Sequence, residues 1–239
     1  MNLYRLEMKK IRFSTYLWAI AGIFASLLAL GILFLFIFQI EKGESGIPEE
    51  AQLFANWNGL LALTTALAFV CFSVLSAVIA AKVVVSEYCG KNAVILLSYP
   101  VKRKAILETK CLLVCGITTI SAFISNILVV GIMYVTAHVF TIMPQMNTEH
   151  FVFTVLISSI LIGILSSAVG IISTAVGWKK HSIIATIVCS LIIVCVLTNF
   201  ITVSPRNIIW VMLAISTVFV VIANVIYHIL ANGIEKMEI

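Results

Sequence analysis

The sequence predicts an all-α integral membrane protein with six transmembrane helices and both termini in the cytoplasm. An amphipathic interfacial helix is expected at the N-terminus, and a short cytoplasmic helix between spans two and three. Three observations predict this. Of 239 residues, 62% are hydrophobic and only 10% charged, where a soluble domain carries about 25% charge. Six stretches hold no Asp, Glu, Lys or Arg: Phe13 to Ile40, Ala51 to Ala81, Cys111 to Thr148, Phe151 to Trp178, Ser182 to Pro205 and Asn207 to Ile234. A helix rises about 1.5 Å per residue, so roughly 20 apolar residues cross the ~30 Å hydrocarbon core, and each stretch suffices. Finally, the basic residues alternate from loop to loop.

Residues 1–14 open the chain as an interfacial helix. Tyr4, Met8 and Ile11 share one helix face, with Arg5, Lys9 and Arg12 on a neighbouring one. Such a helix lies in the headgroup region with its apolar side down. The spans are placed at 15–40, 57–83, 108–137, 151–178, 182–203 and 208–231, within one domain covering 1–239. The first apolar run is far longer than the roughly 7–15 residues of a signal-peptide core, so it reads as a retained span.

Thirteen of the 15 Lys and Arg fall in alternate segments: the N-terminus, the loop between spans two and three, the loop after span four, and the C-terminal tail. Only Lys42 and Arg206 fall on the other side. The positive-inside rule therefore puts both termini in the cytoplasm. Trp18 and Trp178 fall at the expected inner boundary and Trp57 and Trp210 at the outer one, where an indole keeps its ring in lipid and its N–H near water. The net charge of +5 belongs to this orientation, and no nucleic-acid partner is implied.

Span four carries Gly163, Gly170 and Gly177 at steps of seven, flanked by Ser166, Ser167, Ser173 and Thr174. This is a helix-packing seam, because lipid offers no hydrophobic drive and close backbone approach must replace it. Ala19, Gly22, Ser26 and Ala29 form a weaker seam in span one. Packing within the chain and contact with a second subunit both fit such seams. Asn126 and Asn199 are read as hydrogen-bonding between helices. The six cysteines are read as packing residues.

Energy-coupling chemistry is absent from the sequence. The chain has no Asp, and the six stretches hold no charged group that could bind a coupling ion at membrane depth. It has no HExxH and no GxxxxGK[ST]. No catalytic residue, metal ligand or cofactor is assigned to it. A transport body of this kind would draw energy from a partner.

The loop at 84–104 is the place to look. Glu87 precedes Lys91 by four residues, the favourable order for a helical pair. Ile95, Leu96 and Leu97 form an apolar cluster and Pro100 ends the turn. Lys102, Arg103 and Lys104 then mark the inner membrane face. A short helix with a polar start and an apolar end suits a partner's groove.

Glu87, Gly90, Leu96, Leu97, Pro100, Val101, Arg103, Ile106 and Lys110 follow in the order seen in one family. The segment resembles the signature of type-2 ABC exporter permeases, over about 25 residues of sequence, and the six-span layout extends the likeness. The resemblance implies that this loop is a coupling helix resting on a separate ATPase, with Glu87, Tyr88, Gly90, Lys91, Asn92, Leu96, Leu97, Pro100 and Arg103 at the interface. It implies a dimer of ABC ATPase subunits binding ATP and Mg, and a second permease chain, identical or homologous. It also implies a bacterial plasma membrane setting. In size and spelling the chain resembles permeases of lantibiotic and bacteriocin immunity and of antimicrobial-peptide export. An amphipathic peptide or lipid-like substrate is therefore expected; related permeases carry drugs, ions or lipid-linked glycans. Two other classes fit the residues: an ATPase-independent channel or secondary carrier, and a structural or sensory subunit with no cargo path.

Overall fold

The computed structural model describes residues 13–43, 57–88, 103–140, 148–203 and 208–235. Six long helices account for nearly all of them: α1 Phe13–Gly43, α2 Trp57–Ala80, α3 Arg103–Val139, α4 Thr148–Lys179, α5 Ile183–Val203 and α6 Ile208–Glu235. A π turn, Ala81–Val85, and a last α turn, Ser86–Tyr88, prolong α2 without a break. The shortest helix has 21 residues and the longest 37, or roughly 32 Å and 55 Å. All six are long and apolar enough to cross a bilayer, and the chain is a multi-pass membrane protein. The N-terminal amphipathic segment falls almost wholly outside the described residues.

α4 stands at the centre and packs against α2, α3, α5 and α6, while α1 leans mainly on α3. The most apolar windows of α2 and α4 are each 72% buried, against 17% for α1 and for α6. The inner pair is therefore the core, and α1, α5 and α6 present most of the lipid-facing surface.

The α4 glycines explain why this helix can be central. A Cβ on Gly163 would stand 2.9 Å from Thr119 of α3. One on Gly170 would stand 2.0 Å from the hydroxyl of Ser76 in α2, and one on Gly177 only 1.8 Å from that of Thr186 in α5. Three glycines thus admit three different neighbours. Buried hydroxyls fill the space between them without adding bulk. Ser166 donates to Gly163 O at 3.0 Å, Ser173 to Gly170 O at 2.8 Å and Thr65 to Leu61 O at 2.7 Å. Each such donor is satisfied by its own helix and asks nothing of its neighbour.

Two bonds join α3 to α4. Thr119 Oγ1 donates to Gly163 O at 3.2 Å, and Asn126 Nδ2 to Ser159 Oγ at 2.8 Å. Asn199 differs from expectation: it is exposed, and its amide donates to Cys195 O of its own helix at 2.7 Å. On its side of α5 no neighbour is within reach, so the amide turns back on its own turn.

The span-one seam also meets nothing among the described residues. Ala19, Gly22, Ser26 and Ala29 are exposed, and a Cβ on Gly22 would have no neighbour within 4 Å. α1 instead meets α3 further along, where a Cβ on Gly31 would stand 2.6 Å from Met133.

Two of the four tryptophans depart from an interfacial setting. Trp57 is buried, its ring 5.7 Å from Tyr134 and 5.3 Å from Phe151, so it seals the bundle where α2, α3 and α4 converge. Trp178 lies under α6, where a Cβ on Gly233 would come within 3.1 Å of its ring, and its indole nitrogen is buried without a partner among the described residues. Trp18 and Trp210 stay 78% and 73% exposed.

Gly170→Ile should overpack the α2–α4 contact and cost about 1–3 kcal/mol, whereas Gly22→Ile should change stability by less than about 0.5 kcal/mol. Thermal inactivation of the detergent-solubilised chain, followed by size exclusion, separates the two; equal losses would refute the central role of α4.

Candidate functional site

The segment singled out from sequence is framed by the end of α2 and the start of α3. Of its residues, Glu87 and Tyr88 lie in the last turn that prolongs α2, and Arg103 is the first residue of α3. Gly90, Lys91, Asn92, Leu96, Leu97 and Pro100 lie outside the described residues. The helices take in more of the chain than expected, since 84–88 belong to the α2 rod and not to the loop.

The chemistry of the frame is an ion pair that sequence reading missed. Lys110, two turns into α3, is fully buried, and its ammonium donates to a carboxylate oxygen of Glu87, itself only 16% exposed. The same nitrogen donates to Val83 O at 3.2 Å. Its chain neighbours are apolar and buried: Leu107, Cys111, Val83 and Val84. A charge in such a place is tolerable only when paired and hydrogen-bonded. Both of these groups belong to the α2 rod, so the pair ties the two ends of the loop together across 23 residues of chain. The expected pairing of Glu87 with Lys91 lies outside the described residues; the partner within them is Lys110.

The π turn sits at the root of this arrangement. Ser86 N–H reaches back five residues to Ala81 O, and Ser86 Oγ donates to Lys82 O. The backbone stays helical on both sides, with Ala80 at φ −63° and Ser86 at φ −67°. A π turn holds one more residue than an α turn, so it re-aims everything after it; such turns collect at functional positions.

Other helices converge here too. Lys82 Nζ stands 6.0 Å from the ring centre of buried Tyr16, tying α1 to the end of α2 by a cation–π contact. A small apolar cluster joins Val84, Leu107 and Cys111 to Leu230 and Ala231 of α6, with Trp178 of α4 packed against it. Displacement of the loop would reach α2 and α3 through the ion pair, and α4 and α6 through this cluster.

The signal for Lys110 was present in the residues. Ile106, Leu107, Lys110, Leu113 and Val114 follow helical spacing, and all are buried. Lys110 therefore occupies a core position in an apolar stripe, which requires an acid to face it. Among the described residues no group of three or more His, Cys, Asp or Glu could hold a metal ion.

The class defined so far is a six-helix membrane protein with a charge-clamped loop. No family model matches the chain, and no solved structure matches it. It is 25% identical over 200 residues to the Bacillus subtilis (strain 168) protein YcbO, described as uncharacterized; the match covers 83% of this chain and 84% of that protein.

Glu87→Gln or Lys110→Met alone should each cost about 3–5 kcal/mol, by stranding the remaining buried group. The double variant should recover most of that loss. A double-mutant cycle on thermal stability with no coupling between the two positions would disprove the clamp.

Proposed function

We propose that this chain is the permease subunit of an ATP-driven exporter of the type-2 ABC class. The observation that carries the reading is the clamped loop itself. The Glu87–Lys110 pair makes a rigid unit of the ends of α2 and α3, beside a segment whose Leu96, Leu97 and Pro100 order resembles the coupling helix of that class. The bundle behind it offers no coupling-ion chemistry of its own in sequence, so energy would arrive through this loop. In this reading the basic loops and both termini face the cytoplasm of a bacterial cell. A dimer of ATPase subunits, holding ATP and Mg, docks on the loop, and a second permease chain completes the transporter.

The cargo in this reading is amphipathic, an antimicrobial peptide or bacteriocin taken from the membrane and released outside for self-protection or export. The support is chemical. The walls are apolar, and Glu41 to Glu50, the end of α1 and the segment after it, carries four Glu, which favours a cationic substrate. The lipid-facing sides of α1, α5 and α6 leave room for lateral entry.

The ATPase should co-purify with the chain, and ATP-dependent extrusion of a fluorescent cationic amphipathic peptide from inverted vesicles should need both. Leu96→Glu with Leu97→Glu should cut peptide-stimulated ATP hydrolysis by about tenfold or more while leaving the helical bundle's thermal stability unchanged, because docking and not folding is lost. Uphill flux in liposomes holding this chain alone would instead identify a secondary carrier and overturn the proposal.

A further inference from the structure

α6 turns much of its surface outward. Val218, Val221, Val225 and Ile229 are each 55–65% exposed, which suits contact with acyl chains. Asn224 is exposed among them. It lies 11 residues from Glu235 and 16 from Ile208, so about 16 Å and 24 Å from the two ends of the helix. Both distances place the amide inside the hydrocarbon.

The three intramembrane asparagines differ in how they are satisfied. Asn126 donates to Ser159 of another helix and Asn199 to its own backbone. Asn224 has no hydrogen-bond partner among the described residues. An amide left unpaired in hydrocarbon costs several kcal/mol, so this side chain needs a complement that the described residues do not supply.

The space beside it is shaped to hold one. α4 and α6 enclose a cleft of about 400 Å³, lined by Ser167, Ala168 and Ile171 of α4 and by Val220, Asn224 and Tyr227 of α6. That volume falls in the range of small-molecule sites, which are mostly apolar with a few polar groups. Ser167 Oγ donates to Ile164 O at 2.8 Å, so its hydroxyl hydrogen is already used. No charged side chain lines the cleft, so it favours an uncharged ligand. A second helix is poorly suited to the place. Close approach through an Asn needs small residues around it, and the residues one turn away, Val220, Val221, Tyr227 and His228, are all large.

We propose that the α4–α6 cleft binds one neutral amphiphile from the membrane, its aliphatic part against Ile171 and Val220 and its amide or hydroxyl group bonded to Asn224. The inference depends on the six-helix fold alone and stands whether or not the chain is a permease.

Photolabelling of the full-length chain in lipid nanodiscs tests it, using a diazirine-bearing long-chain fatty amide and a diazirine alkane of equal length. The amide should concentrate its label in residues 164–171 and 220–227. Asn224→Leu should lower that label by about tenfold, the worth of one buried hydrogen bond, while Asn224→Gln retains most of it and the alkane pattern stays unchanged. Identical labelling by the two probes, or no effect of Asn224→Leu, would overturn the proposal. So would efficient disulfide formation between two copies bearing Val221→Cys in a Cys195→Ser background, since a second α6 would then be the partner of Asn224.

Discussion

Inside a bilayer the hydrophobic effect cannot hold helices together, because lipid tails are as apolar as leucine. This bundle depends on the alternative, close approach of backbones, and α4 is where it occurs. Gly163, Gly170 and Gly177 each face a different neighbour, so one helix serves three interfaces. The serines and threonines around them return their hydrogens to their own helices and keep the seams thin. Among the described residues directional bonds between helices are few, two joining α3 to α4 and those of Lys110 joining α3 to α2. The α2–α4 contact has none to match: the hydroxyls of Ser73 and Ser76 are buried without partners among the described residues. α3 is thus bonded to the centre, while α2 rests on it by shape.

That difference gives the ion pair its meaning. Lys110 and Glu87 bind α2 to α3 at one end of the bundle, and α3 in turn is bonded to α4. The pair adds a directional tie between α2 and its neighbours to the packing and the Lys82–Tyr16 contact. A buried pair of this kind is weak evidence for net stability, because desolvation offsets much of the attraction. Its geometric effect is to fix the position of the α2 end against α3. The π turn just before Glu87 marks the point where α2 changes register to meet Lys110.

The two polar features of the lipid-facing and loop-facing surfaces differ in kind. At the clamp, a charge is buried because its counter-charge is supplied from the same chain. At the α4–α6 cleft, a neutral amide is left with no complement among the described residues. The first arrangement is closed and suits transmission of force; the second is open and suits recognition of a ligand.

Most of the architecture was legible in the residues. Charge-free runs longer than the bilayer admit only helices, since lipid cannot satisfy an open backbone, and seven-residue glycine spacing marks one packing face whatever the partners. Which partners those are was not legible: only the folded bundle assigns Thr119, Ser76 and Thr186 to the three glycines, or leaves the span-one seam bare. The clamp was half legible. Lys110 sits on an apolar stripe and announces a buried charge, but its acid lies 23 residues earlier across a loop whose path local spacing does not specify. Local periodicity sets which face of a helix is buried, because it depends on one turn of backbone. The identity of the neighbour depends on how all six helices share a small volume, and that belongs to tertiary structure alone.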